Sequence, residues 1–149
     1  MGYCSADEVR VMIKDDALNA LIGDEYIDDE AEREAKILPV IQEAIADADG
    51  EIDGYLAKRY PVPLTLIPKA INKMSKDIAV YNIFSRVGID EDGPDKNYLN
   101  RYQAAVKFLQ LVAEGKVDIG VGNTQSAATT GFSARSSPRL FSRDSLKGM

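Results

Sequence analysis

The chain of 149 residues is 45% hydrophobic and 28% charged, and its 24 acidic and 18 basic side chains give a net charge of −6. This composition suits one domain of ordinary size, with neither a membrane span of roughly 18 apolar residues nor a secretory signal. Because the chain has no histidine and a single cysteine, Cys4, the sequence excludes internal disulfides, ordinary zinc sites and nucleophilic sites that use histidine as the base.

The first predicted elements are two short helices. Ser5-Ala6-Asp7-Glu8 has the spacing of a capping box and predicts a helix start. A second short helix is predicted from Asp15 and should stop at Gly23. The acidic stretch 23–34 has weak periodicity, which favours a loop or a frayed helix start.

The strongest periodic signal predicts a long helix from about Ile37 to Arg59, with a start near Leu38 because Pro39 fits a first helical turn. Its apolar positions recur every 3.6 residues and are Ile37, Ile41, Ala44, Ile45, Ala48, Ile52, Tyr55 and Leu56. The opposite face is mainly acidic and carries Glu43, Asp47, Glu51, Asp53 and Lys58. Gly50 and Gly54 lie off the apolar stripe or at its edge, and they either permit close packing of another helix or mark a bend.

Two further helices are predicted after Tyr60-Pro61-Val62-Pro63 ends the long one. The first begins at Pro68 and closes at Gly88. Its apolar surface, widened by residues such as Phe84, is broad enough to pack against both its own core and a neighbour. The second runs from about Asp95 to Glu114 and stops at Gly115.

The character of the sequence changes after Asp118. Residues 120–137 are rich in Gly, Ser, Thr and Ala, and the following stretch mixes basic and apolar residues. The sequence therefore predicts an all-α bundle of about four to five helices over residues 1–118 and an extended C-terminal arm over 119–149, with room for a short β segment. Two alternatives are open for the arm: it becomes ordered when it binds a partner, or it is a disordered terminus. Residues expected to bind a partner are Phe132, Arg135, Arg139, Leu140, Phe141, Arg143, Leu146 and Lys147.

Two acidic patterns in the predicted long helix have some features of chemical sites. Asp47, Asp49 and Asp53 around Gly50 have part of the spacing of a calcium loop, but apolar residues occupy its two most demanding ligand positions. Asp49 and Asp53 are one turn apart, yet nothing in the sequence indicates the burial that would raise a carboxyl pKa. Both patterns are expected to be a solvated helix face, and no catalytic, metal or cofactor site is predicted.

The net charge is unevenly distributed along the chain. Residues 1–60 carry a net charge of −10, and residues 61–149 carry +4. An acidic front and a basic back suit a molecule that packs head-to-tail against its own copies, although an ordinary solvated helix and a basic tail would give the same numbers. Glu43, Asp47, Glu51 and Phe84 are the candidate subunit or channel face.

The stretch 44–64, AIADADGEIDGYLAKRYPVPL, resembles a Mu-like phage and prophage family long known as a domain of unknown function. The family resemblance continues through Asp77-Ile78-Ala79-Val80-Tyr81, the helix around Tyr102 and the closing 139–147, RLFSRDSLK. It covers nearly the whole chain, and its specificity comes from the combination because no single motif is catalytic.

The resemblance implies a head–tail connector, also called an adaptor or head-completion protein. Such a subunit would form a ring of its own copies, usually twelvefold, in the virion neck after assembly in the bacterial cytoplasm. It would bind the portal and a stopper or tail protein and let DNA pass without sequence recognition. The alternatives are a small nucleic-acid-binding or regulatory protein using the basic tail and, weaker still, an enzyme that relies on carboxylates; we expect the chain not to be an enzyme.

Overall fold

The structure is a computed structural model, and it describes residues 2–23, 27–90 and 92–122. These residues form five α-helices and no strand: α1 (Ala6–Arg10), α2 (Asp15–Leu21), α3 (Glu30–Leu56), α4 (Lys69–Ser85) and α5 (Lys96–Ala113). The predicted all-α bundle is confirmed over these residues. None of their helices combines the length and apolar content needed to cross a membrane.

Helix α3 begins earlier than the periodicity predicts; of the two alternatives for 23–34, a loop is wrong from Glu30 onward, where the chain is the start of the helix. Asp29 caps the helix, because its carboxylate accepts a hydrogen bond of 3.0 Å from the Ala31 N–H. Glu30 and Glu32 in the first turn also favour the positive end of the helix dipole. Pro39 consequently lies inside the helix, where it removes one hydrogen-bond donor.

The other predicted boundaries agree with the structure to within a few residues. Ser5 and Glu8 form the capping box, with hydrogen bonds of 3.2 and 3.0 Å. Gly88 and Gly115 follow α4 and α5 with positive φ angles of 101° and 82°, which glycine adopts without strain.

The core lies where α3, α4 and α5 pack against one another, and α1 packs against α3 and α4. The inward stripe of α3 is buried at Ile37, Ile41, Ala44, Ile45, Ala48, Ile52 and Leu56, as predicted, while Tyr55, also predicted for the stripe, is only partly buried. Two stacked aromatic pairs join α4 to α5: Tyr81 with Tyr102 at 4.0 Å between ring centroids, and Phe84 with Tyr98 at 4.2 Å. The body that presents the candidate surfaces is therefore a packed three-helix unit.

Candidate functional site

The outward face of α3 holds three of the four residues predicted for a subunit or channel face. Glu43 and Asp47 are exposed, and Glu51 is partly buried. Glu43 forms an ion pair of 2.9 Å with Arg86, and Glu51 accepts a 3.1 Å hydrogen bond from the Tyr102 hydroxyl. We call Glu43, Asp47 and Glu51 the acidic face.

Phe84, the fourth residue predicted for this face, lies on α4 and is buried. Its side chain is 8% exposed and stacks on Tyr98, with 7° between the ring planes. The ring is thus covered by α5 of the same chain. The large apolar side chain exposed just beyond the end of α4 is Val87, at 55%.

A buried polar cluster occupies the opposite side of α3, around Asp49. The Asp49 carboxylate accepts the backbone N–H of Tyr3 at 3.1 and 3.2 Å, and the Ser75 hydroxyl lies 3.1 Å from it. Ser75 also lies 3.2 Å from the buried thiol of Cys4. Burial raises the pKa of Asp49 above its ordinary value, while the Tyr3 and Ser75 hydrogen bonds oppose that shift. The expectation of a fully solvated carboxylate is wrong here.

The side chain of Tyr3 extends the cluster from α3 to the loop after it. Its hydroxyl donates a short hydrogen bond to Asp53 and accepts one of 3.0 Å from the Leu64 N–H. Burial and the neighbouring Asp53 raise the pKa of Tyr3 to about 12. The Tyr3 carbonyl accepts a further bond of 2.9 Å from Asn72 on α4. One segment, residues 2–5, therefore joins α3, α4 and the loop.

Gly2 explains why this segment fits so closely against α3. A Cβ atom at Gly2 would lie 2.8 Å from Asp49 Oδ2 and 3.1 Å from the Cys4 carbonyl oxygen. Sequence reasoning missed this cluster, although one signal pointed to it: Cys4 and Val9 occupy the positions of a hydrophobic staple around the capping box. Both side chains are buried.

The three carboxylates with part of the spacing of a calcium loop lie in different surroundings. Asp47 is exposed on the acidic face, whereas Asp49 and Asp53 bond to Tyr3. Among residues 2–23, 27–90 and 92–122, no group of three or more Asp, Glu or Cys side chains is placed to hold a metal ion.

A second buried charge lies between α4 and α5. Asp77 is 2% exposed and forms ion pairs with Lys73, at 2.6 Å one turn earlier, and with Arg101 on α5. Both cations are partly solvated, at 62% and 35% side-chain exposure. The two ion pairs join α4 to α5 through a buried carboxylate, an arrangement that can fix the register of two helices.

A groove opens where the loop after α3 meets the last described residues. We call it the Leu66 groove; it is lined by Pro61, Leu64, Thr65, Leu66, Gly120, Val121 and Gly122. The segment that leads to Gly120, Val121 and Gly122 is anchored by Arg59, which donates hydrogen bonds to the carbonyl oxygens of Val112 at 3.0 Å and Val117 at 3.4 Å. The Ile119 N–H donates to the Tyr60 hydroxyl at 3.4 Å, and Ile119 is 8% exposed.

The residues predicted to bind a partner from the C-terminal arm lie outside the described residues. They are Phe132, Arg135, Arg139, Leu140, Phe141, Arg143, Leu146 and Lys147. Of the arm, the structure describes only residues 119–122, of which Gly120, Val121 and Gly122 line the Leu66 groove.

Comparisons with known proteins point to one phage family. A family model described as bacteriophage Mu, Gp36 matches residues 3–137. Gene product J of Escherichia phage Mu is 33% identical over 107 residues, which cover 70% of this chain and 72% of that relative. The Mu-like prophage FluMu protein gp36 of Haemophilus influenzae is 28% identical over 110 residues, covering 72% of this chain and 74% of that relative.

Proposed function

The chain belongs to the bacteriophage Mu Gp36 family, and we propose that it is a structural subunit of a tailed-phage head–tail connector ring. In this role, copies of the chain form a ring, twelvefold in our proposal, that binds the portal and extends the DNA channel toward a stopper or tail protein. The subunit acts by binding alone, in the virion neck, and contacts the passing DNA without reading its sequence.

The observation that carries the proposal is the acidic face of α3. Glu43 and Asp47 are exposed on a helix whose other side is anchored in the core, so the face is presented on a rigid support. Surfaces that bind DNA neutralise phosphates with Lys and Arg. An acidic surface repels phosphate instead, which suits a channel wall past which DNA must slide.

The distribution of charge among the helices supports assembly from identical copies. Helix α3 carries eight acidic and two basic side chains, whereas α4 and α5 together carry six basic side chains and one acidic, the buried Asp77. A ring repeats one heterologous contact, in which different surfaces of neighbouring copies meet. Opposite charges on different helices of one copy favour such a contact and disfavour the association of identical faces.

The test is binding to portal-filled phage heads that lack this protein. Purified chain is mixed with such heads, and electron microscopy with two-dimensional averaging examines the portal vertex. We expect added ring density at the portal and recovery of tail joining. Heads that bind no chain would contradict the proposal. A salt-dependent shift of duplex DNA by the free chain, without head binding, would favour a nucleic-acid-binding protein instead.

A truncated chain provides the matched variant for this experiment. The cut should follow Gly122, because a cut after Asp118 would remove Ile119, which is buried against the helical body. We expect the shortened chain to keep its helical circular dichroism and melting temperature but to lose head binding. Head binding equal to that of the full chain would show that residues 123–149 are dispensable for assembly.

A further inference from the structure

The Leu66 groove is fixed on both sides by the fold. One wall is the loop that Tyr3 anchors through the Leu64 N–H, and the other is the segment that Arg59 and Tyr60 hold through hydrogen bonds. The Gly120 N–H is also bonded, to Asp118 at 2.7 Å. A groove with two anchored walls exists before any ligand arrives, which lowers the entropy cost of binding.

The groove has room for one side chain of about phenyl size, and Pro61, Leu64, Leu66 and Val121 supply the apolar part of its lining. Its volume is about 230 Å³. Small-molecule sites are larger, about 300–1,000 Å³, whereas an apolar cavity of about 150 Å³ is known to hold a benzene ring. Leu66 on the lip is 69% exposed, which leaves a large apolar surface in water beside the opening. One phenyl ring with its Cβ fits this space.

We propose that the Leu66 groove is the docking site for the Phe141 segment of this chain, residues 139–143. The described chain ends at Gly122, on the wall of the groove itself. Residues 123–149 are thus tethered at the groove, which gives them a high effective concentration there. Phe141 follows Leu140, so two adjacent large apolar side chains are available for the ring-sized space and the exposed Leu66 surface.

Charge complementarity distinguishes this occupant from an unrelated apolar peptide. Residues 123–149 carry a net charge of +3, and residues 1–122 carry −9. Arg139 and Arg143 flank Phe141 at two residues on either side, so the overall charges of the segment and the body attract, although none of the described residues that line the groove itself is acidic. The proposal goes beyond ring formation, since it requires only this chain and holds whether or not the chain forms a connector.

A disulfide cross-link tests the proposal in the full-length chain. Leu66→Cys and Ser142→Cys are introduced together, so that the Phe141 ring is kept, and native Cys4 is retained because it is 8% exposed. Under mild oxidation we expect the two introduced thiols to form a disulfide, detected by non-reducing electrophoresis and peptide mass spectrometry. A product of monomer mass supports docking of the segment in its own groove, whereas a cross-linked multimer without that product would overturn the proposal.

The matched control moves the first thiol to another exposed apolar position. Val11 is 86% exposed and follows α1, where Arg10 pairs with Glu34. Glu34 and Leu56 are 22 residues apart on α3, so this site lies roughly 33 Å from the end of α3 that leads to the groove. Equal cross-linking of Val11→Cys/Ser142→Cys and Leu66→Cys/Ser142→Cys would overturn the proposal, as would failure of the Leu66 pair to cross-link.

A second measurement does not depend on disulfide geometry. The rate at which a maleimide labels Leu66→Cys is compared in the otherwise native chain and with Phe141→Ala or Phe132→Ala added. Removal of Phe141 should speed labelling by about tenfold, equivalent to about 1.4 kcal/mol of docking free energy, and removal of Phe132 should leave the rate near its starting value. Equal rates in all three chains, or a larger effect of Phe132→Ala, would overturn the assignment of Phe141.

Discussion

The two sides of α3 carry the same acidic residue types in opposite surroundings. Asp47 on the acidic face is exposed, whereas Asp49, two positions later, accepts the Tyr3 N–H and lies within hydrogen-bond distance of Ser75. Asp53, one turn beyond Asp49, bonds to the Tyr3 hydroxyl. The difference arises because residues 2–5 cover only one side of the helix. Asp49 and Asp53 are thus structural because this segment reaches them, whereas Asp47 stays exposed on the acidic face.

The largest expected effect comes from removing the covered carboxylate. Asp49→Ala should lower the free energy of unfolding by about 2–3 kcal/mol, because the Tyr3 N–H and the Ser75 hydroxyl lose their acceptor. Asp47→Ala is the matched control, since it makes the same change two positions away on the exposed face. It should alter stability by no more than about 0.5 kcal/mol. Urea unfolding followed by circular dichroism measures both, and equal losses would contradict the distinction between the two sides.

The same variant has a defined pH signature. Burial raises the pKa of Asp49, so the folded chain holds this proton at pH values where the unfolded chain has already released it. Asp49 therefore contributes most to stability below the ordinary aspartate pKa, and its contribution falls as the pH rises through the shifted pKa. This decrease in the free energy of unfolding with rising pH should be absent in Asp49→Ala and present in Asp47→Ala.

The sequence predicted the helices well because their signal is local. Apolar residues at 3.6-residue spacing, a capping box and glycines after helices all act within a few residues, and α4 and α5 ended within three residues of the expected positions. The early start of α3 was missed because Glu30–Lys36 has no apolar stripe, and its stability there comes from capping and charge.

The cluster around Asp49 was missed because its contacts are distant in sequence. Tyr3 meets Asp49 across 46 positions and Leu64 across 61. Periodicity places Asp49 beside the apolar stripe of α3 but does not show which segment covers that edge. The Leu66 groove has the same origin, since residues 61–66 and 120–122 are far apart along the chain.

A smaller effect is expected from removing one hydroxyl on the covered side. Tyr3→Phe leaves the Leu64 N–H without its acceptor and Asp53 without its donor, which should cost about 1–2 kcal/mol. The pKa of Tyr3 is raised to about 12, so the folded chain keeps a proton that the unfolded chain loses near pH 10. Stability should consequently fall between pH 10 and 12 in the native chain, and less steeply in Tyr3→Phe.

Tyr102 should contribute to the same decrease in stability at alkaline pH. Its pKa is also raised to about 12, by burial and by Glu51 at 3.1 Å. Tyr102→Phe should therefore reduce the slope as well, and the double variant should have the shallowest slope of the four chains. Chemical denaturation at pH 9, 10, 11 and 12 provides the comparison. An unchanged slope in Tyr3→Phe would show that the Tyr3 hydroxyl titrates as it does in the unfolded chain.

The smallest effect is expected on the exposed side, at the ion pair of Glu43 and Arg86. The pair is close, at 2.9 Å, but the side chains are 63% and 39% exposed. Exposed pairs of this kind contribute about 0.2–1 kcal/mol, and salt screens them. A double-mutant cycle of Glu43→Gln and Arg86→Gln should give a coupling energy near the lower end of that range, falling further when the salt concentration is raised.

The coupling energy between Glu43 and Arg86 tests whether Glu43 stabilises the fold or contacts a partner. If Glu43 contributes so little to folding, its charge is free to act on a partner, and Glu43→Gln should affect assembly on phage heads more than it affects stability. A coupling energy well above 1 kcal/mol in 0.15 M salt would instead make Glu43 a structural residue like Asp49. Carboxylates on both sides of α3 would then stabilise the fold, and Glu43 would no longer support the proposal that the acidic face lies against DNA or a neighbouring copy.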